Sequence, residues 1–351
     1  MNGNNPKSPN RIPIIDAAKG YGILLVFLGH LVYYDSPLFR IIFNFHMPLF
    51  FVLSGMTFSP EKDADCKSIL KRILGTIGVP FVFFTALGAV ICVFTGRLIQ
   101  HSLMDWLRAG ASFLHGDPYV GGSLWFLTCL AVVKFLFWTW SRKGFPLRRN
   151  VILLGGAYAC GIIFARYVHP KVLLAGPMMC FSVPMAFFFF AAGYYCRGWL
   201  SMIRGMSFSF LVFLSLSLFS VEVLLAVPFA TPNLAVPAFP SPFIFLLAAS
   251  CGICSVLCIS LKSFYAIRFV GMYSLYYFLM ERWVRELWFK VSALLMPDFI
   301  PNAIGDNSNL LHLTWVQGAA TLVAEVVIAT ALLPCLHIAL AWMRKRLTIL
   351  N

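Results

Sequence analysis

The sequence predicts an all-α, polytopic membrane helix bundle of about ten transmembrane helices, and three observations predict it. Hydrophobic residues make up 60% of the 351-residue chain and charged residues only 11%. With a mean hydropathy of +0.84, this composition leaves nothing for a large soluble domain. The apolar residues fall in runs long enough to cross a bilayer. The basic residues fall in short clusters between those runs, so the net charge of +14 reads as a topology signal and not as a nucleic-acid surface.

Residues 1–10 are polar and rich in Pro and Asn, which predicts a short disordered tail ahead of a membrane domain over residues 11–346, with a second tail at 347–351. Helix one is expected from about Ile12 to Tyr34. It is retained and not cleaved as a leader, since no small-residue cleavage site follows it. The turn Asp35-Ser36-Pro37 leads into helix two, about Ile41 to Phe58, and then EKDADCKSILKR reads as a charged loop. Helix three covers about Ile73 to Thr95, with Pro80 in its first turns, where a bundle accommodates a kink. The long loop Gly96 to Gly122 carries an interfacial helix in its middle. Helix four runs from Ser123 to Ser141, helix five from Val151 to Arg166, and helix six from about Met178 to Cys196. Helix seven is expected over Phe208 to Phe229, followed by an uncharged Pro-rich turn, and helix eight over Phe243 to Leu261. Helix nine starts near Phe269 and passes into the amphipathic ERWVRELWFK; helix ten, about Leu311 to Trp342, is closed by Arg344-Lys345-Arg346.

With the N-terminus cytoplasmic, more than twice as many Lys and Arg residues lie at inner ends as at outer ones, with Lys134 inside helix four, so both termini are expected in the cytoplasm. No internal repeat favours an inverted-repeat transporter. The ten cysteines sit almost entirely in apolar segments as packing residues. Cys251, Cys254 and Cys258 share a helix face without further ligands at metal spacing, so no metal is expected.

The stretch Asp16 to Gly55 concentrates the chemistry. Lys19 precedes His30 by eleven positions, about 16 Å of helix, so one helix offers a cation near the inner surface and an imidazole near the outer one. Ionisable groups in lipid are costly and point to function, and neutral imidazole is a suitable general base for a hydroxyl. His46 lies across the hairpin and is expected to approach His30, with Pro48 loosening the backbone beside it; bracing of that break is its bland alternative. Asp16 lies three residues before Lys19 on the same face and is placed to pair with it. Lys71 and Arg72 form a second inner cluster that suits phosphate or simple topology. Glu222 and Glu325 lie within helices seven and ten, each suited to a buried bond or an acceptor site, and Trp125 marks the outer interface at the start of helix four.

D16-A-A-K-G-Y-G-I-L-L-V-F-L-G-H30 resembles the first helix of acyltransferase family 3, the integral-membrane O-acyltransferases. F45-H-M-P-L-F-F-V-L-S-G55 resembles the second helix of its branch of fucose 4-O-acetylase-like and capsule or O-antigen O-acetyltransferases. Leu124-Trp125-Phe126-Leu127 is similar to a further short family signature. The resemblance implies acetyl-CoA as cytoplasmic donor and the hydroxyl of a glycan or lipid-linked saccharide as acceptor, in a multi-pass protein of the cell inner membrane surrounded by lipid. It implies His30 as catalytic base or acyl carrier, with His46 as the second catalytic candidate. Lys19 stands where many members carry arginine, and Lys71 and Arg72 become candidates for the coenzyme A phosphates, although Thr76 replaces a second arginine. In the late block G271-M-Y-S-L-Y-Y-F-L-M-E281, Glu281 replaces a common histidine. Asp16, Trp125 and Glu281 are the candidates for acceptor contacts.

The function expected is therefore O-acetylation of a sugar hydroxyl on a surface, lipid-linked or exported glycan. The rival is a non-catalytic exporter of a small polar solute, in which His30, His46 and Glu222 form a proton or substrate path.

Overall fold

A computed structural model describes residues 12–94, 124–144, 146–168, 179–235, 237–296 and 314–349. The expected N-terminal tail, the loop 96–122 with its interfacial helix, the turn around His169-Pro170-Lys171 and the loop at 297–309 lie outside the described residues. Among the described residues the architecture is a bundle of α-helices.

Helix α1 (Pro13–Gly29) starts with proline at its first turn and has Asp16 there, both suited to a helix N-terminus. It stops at Gly29, short of the expected Tyr34, and His30 is its C-cap. The connecting turn is fastened by Arg40, whose guanidinium binds the Asp35 carboxylate at 2.7 Å and donates to the Val227 carbonyl at 2.8 Å. Thr231 Oγ1 adds a 2.7 Å hydrogen bond to Asp35 Oδ1. Asp35 takes a left-handed backbone with φ 60°, which ends the helical path there. Ser36 then accepts the Phe39 N–H and Pro37 opens α2 (Pro37–Met56). This helix runs unbroken through Pro48, so the loosening expected there does not occur; one missing N–H is tolerated where neighbouring helices pack.

The charged stretch after α2 is more ordered than the expected loop. A 3-10 turn at Pro60–Lys62 is followed by α3 (Cys66–Ile73), capped reciprocally by Asp65 and Ser68. A π-helical stretch at Leu74–Gly78 joins α3 to α4 (Val79–Phe94). Pro80 has no N–H to offer the Thr76 carbonyl, and the widened turn sits at that place.

Next come α5 (Trp125–Ser141), α6 (Leu147–Ile163), α7 (Val183–Cys196), a short unforeseen α8 (Trp199–Arg204), α9 (Phe208–Ala226) and α10 (Pro242–Ile259). The expected ninth helix is two helices, α11 (Tyr265–Met272) and α12 (Ser274–Leu295), separated at Tyr273. Helix α13 (Trp315–Ile349) continues beyond the expected end near Trp342 and into the segment read as a tail.

Among the described residues, six helical segments are long and apolar enough to cross a membrane, among them α3 and α4 joined as Cys66–Ile91, and α5 and α7 are shorter apolar helices. With α1 and α12 these make the expected ten, and α1 and α12 bring His30 and Glu281 together. Their placement rests on close backbone approach. A Cβ on Gly20 would collide with the Ile267 carbonyl, and one on Gly271 with the Asp16 carbonyl, so glycine at both positions lets α11 lie against α1. Gly55 and Gly193 do the same for α2 and α7, facing the carbonyls of Phe190 and Val52. Hydroxyl pairing of Ser215 with Ser255 at 3.0 Å joins α9 to α10. Lysines and arginines concentrate at the end of the bundle where α1 begins: Lys67, Lys71 and Arg72 in α3, Arg142 and Lys143 after α5, Arg148 and Arg149 in α6.

Candidate active site

Two charged clusters lie along α1. The first forms where α1 ends. Because α12 starts beside the α1–α11 contact and climbs beside α1, Glu281 reaches the level of the C-cap, and its Oε1 lies 2.9 Å from His30 Nδ1. Arg285, one turn further along α12, binds the same oxygen through Nη1. The Glu281 side chain is 6% exposed and that of His30 30%. Since His30 Nδ1 is itself buried, the accessible part of the ring lies away from that nitrogen. A carboxylate held on Nδ1 fixes the proton there and leaves Nε2 as the basic nitrogen.

Glu325 of α13 joins this cluster. It is 0% exposed and feels the charges of both Glu281 and Arg285. Two carboxyl groups, one guanidinium and one imidazole thus share a buried region. On the other flank of α12, Arg282 pairs with Glu286 at 3.3 Å.

His46 lies one aromatic ring away. The Phe43 ring sits between the histidines, 6.3 Å from His30 and 4.7 Å from His46 between centroids. The His46 Nδ1 atom is 2.7 Å from the Ile42 carbonyl one turn back on its own helix, and the residue is buried. The structure therefore brings the two histidines near each other without a direct bond, and engages His46 with its own backbone.

The second cluster forms where α3 meets α5. Asp63 is 3% exposed and its Oδ2 binds Arg72 Nη2 at 2.5 Å. The Asp63 carbonyl accepts hydrogen bonds from Trp138 Nε1 at 3.3 Å and Arg142 Nη1 at 3.1 Å, both on α5. Arg72 also lies over the Phe58 ring at 5.2 Å. Lys134, one turn before Trp138, stands within electrostatic reach of Lys19 and Arg72. Lys71 points to the exposed side of α3 and is not drawn into this cluster. Asp16 and Lys19 are half-buried on α1, each engaged with another group.

Trp125 departs from its expected place at an aromatic belt. At 7% exposure it belongs to the interior, because the first turn of α5 packs inside the bundle with Phe126 against Phe50, Phe51 and Phe278. Glu222 is buried in α9 beside Asn44 of α2 and Cys251 of α10. Sequence reasoning did not single out Asp63, Arg285 or Lys134. A lysine in the middle of an otherwise apolar helix was a usable signal for the last of these; the roles of the other two depend on tertiary contact.

Taken together, the arrangement puts a carboxylate-oriented imidazole at one end of α1 and lysine and arginine side chains at the other. A family profile described as "Acyltransferase domain" matches residues 12–333. The nodulation protein NolL of Sinorhizobium fredii (strain NBRC 101917 / NGR234) is 28% identical over 197 residues, which is 53% of this chain and 48% of NolL. The chain thus aligns with about half the length of that curated relative. No solved structure matches.

Proposed function

The chain belongs to this acyltransferase family, and we propose that it transfers an acetyl group from acetyl-CoA to a sugar hydroxyl of a surface, lipid-linked or exported glycan. The observation that carries this reading is the contact of His30 Nδ1 with Glu281 Oε1 at 2.9 Å. It supplies a buried carboxylate and an oriented imidazole at the level where an acceptor hydroxyl has to lose a proton.

In this reading His30 Nε2 takes the hydroxyl proton while the oxygen attacks the thioester carbonyl. The carbon–sulfur bond breaks, and the departing coenzyme A thiolate takes the proton back from the imidazolium. Glu281 keeps the ring in the required tautomer and balances the imidazolium while it exists, and Arg285 holds Glu281. The cationic end of α1 faces the cytoplasm by the positive-inside rule, which supports Lys19, Lys71 and Arg72 as contacts for the donor's phosphates. Lys19 and His30 are about 16 Å apart along the helix, a separation the extended pantetheine arm of coenzyme A spans. Asp16 lies at the donor end, while Trp125 and Glu281 flank the acceptor side. Residues 11–346 act as a membrane domain in the inner membrane.

The test is the O-acetyl content of the producing cell's surface polysaccharide, read by proton NMR before and after mild alkali. Wild type is compared with His30→Ala at matched membrane levels. Loss of the alkali-labile acetyl signal in the variant is expected. Persistence of an unchanged signal would sink the assignment of His30 and move the exporter reading ahead.

A further inference from the structure

Glu325 is the buried ionisable residue that the mechanism above leaves without a task. It is the single acidic residue of α13 and is 0% exposed. Among the described residues neither of its carboxyl oxygens has a hydrogen-bond partner. A buried carboxyl without a partner costs stability that an apolar side chain would not, so its presence calls for a role.

Two hydrogen bonds fix what Glu325 faces. The Tyr277 hydroxyl pairs with Thr330 Oγ1 at 2.6 Å, and Trp288 Nε1 donates to Thr321 Oγ1 at 3.2 Å. Between these rungs the numbering rises along α12 and falls along α13, so the two helices run antiparallel. Glu325 lies between Thr321 and Thr330, and Glu281 and Arg285 lie between Tyr277 and Trp288, which sets all three at one level. Thr321, Glu325 and Ala329 follow at four-residue spacing on one face of α13 and are each 0% exposed. The face that receives Trp288 is therefore the face that carries the carboxyl. Helices α1 and α4 also pack against α13; α1 leads to His30, which meets Glu281, and α4 contributes no charged side chain. On α12, Arg282 and Glu286 pair with each other.

At this level one carboxylate oxygen serves two partners. Glu281 Oε1 meets His30 Nδ1 at 2.9 Å and also takes Arg285 Nη1. The guanidinium draws on the same negative charge that orients the imidazole, and its fork has further N–H donors to offer. An acceptor opposite Arg285 diverts part of that attraction from Glu281, and a carboxyl supplies an acceptor oxygen whether ionised or not. We propose that Glu325 is a positioning residue for His30: it competes with Glu281 for the Arg285 guanidinium and so sets how much of the Glu281 carboxylate is left to hold the imidazole. Its bearing on acyl transfer rests on the role proposed above for His30; the competition itself does not.

The test is a double-mutant cycle on the purified full-length protein. Diethyl pyrocarbonate acylates neutral imidazole without any acyl donor, and its rate of reaction at His30, whose side chain is 30% exposed, is read by peptide mass spectrometry at constant pH. Wild type, Glu325→Met, Arg285→Met and the double variant are compared. Methionine keeps the length of the side chain and removes the competing acceptor, so the reaction at His30 should slow by about 3- to 10-fold. Glu325→Gln, which keeps an acceptor oxygen, should lose less. The double variant should match Arg285→Met, because without the guanidinium there is nothing to compete for. In the acyl-transfer assay the same pattern is expected in kcat, with donor KM unchanged. Equal rates at His30 in wild type and Glu325→Met overturn the proposal, as does a loss of the same size in the Arg285→Met background, which is what packing alone would give. If Glu325→Met has no melting transition, Glu325→Gln with and without Arg285→Met carries the same comparison. Coupling at His30 in a protein that transfers no acetyl group would refute the proposed function and leave the role of Glu325 standing.

Discussion

The two ends of α1 hold charge in opposite ways. Where the helix ends, His30, Glu281, Arg285 and Glu325 balance one another within the protein. Near its start, Asp63 is taken up by Arg72, and Lys134 on α5 has no carboxylate partner among the described residues. A balanced buried cluster is suited to moving a proton, since a charge created on one member is met by another already in place. An unbalanced one is suited to holding a ligand of opposite sign. In the function proposed above, one helix thus separates the place where the donor is held from the place where it reacts.

The largest effect that would break this comparison is expected at His30. His30→Ala should lower acetyl transfer by about 10²- to 10⁴-fold while leaving coenzyme A binding intact, measured by turnover and titration on the same preparation. Equal losses in both would show that the two ends are not separate. Next in size is Glu281→Gln, which keeps the shape of the side chain but removes its charge. It should reduce kcat on the order of 10-fold or more with little change in donor KM. A kcat equal to that of the wild type would mean that Glu281 serves packing alone.

Gly271→Ala should act on both ends at once, since its Cβ would meet the Asp16 carbonyl and push α11 from α1. A loss of about 1–3 kcal/mol is expected, seen as a lower melting temperature of the detergent-solubilised protein. The smallest effect is expected at Asp35. Hydrogen bonds from Arg40 and then Thr231 hold its carboxyl below the ordinary carboxylate range. Its contribution is therefore present above the unfolded pKa of about 3.9 and is lost as pH falls through the lower folded value. Because the carboxylate is 41% exposed, Asp35→Asn should cost no more than about 1 kcal/mol. The melting-temperature gap between variant and wild type should close as pH falls through the acid range; a gap independent of pH would remove the ionised turn from the account.

Much of this was legible in the sequence. Apolar runs located the spanning helices, and polar residues at fixed offsets marked His30 and Lys19, because an ionisable side chain in a greasy helix stands out. Glu281 was visible as a residue at a notable place, but its contact was not: the register of α12 depends on the break at Tyr273, and nothing local in Gly271-Met272-Tyr273 demands one. The same holds for Asp63, which read as one more charge in a loop until Trp138 and Arg142 enclosed its carbonyl. Helix boundaries shifted wherever a cap or proline outweighed hydropathy, as at Asp65 ahead of α3 and at Asp35 after α1. Trp125 misled because aromatic residues serve membrane interfaces and packed interiors alike.

The charges on α12 have a consequence for how the protein is made. Glu281, Arg282, Arg285 and Glu286 lie within two helical turns, and such a segment partitions poorly into lipid when presented by itself. Its acceptable surroundings are the imidazole of His30 on α1 and the neighbouring α13. Biogenesis therefore has to hold α12 at the membrane until α13 has been made, and a nascent chain that stops before α13 carries an unshielded polar helix that quality-control proteases can recognise.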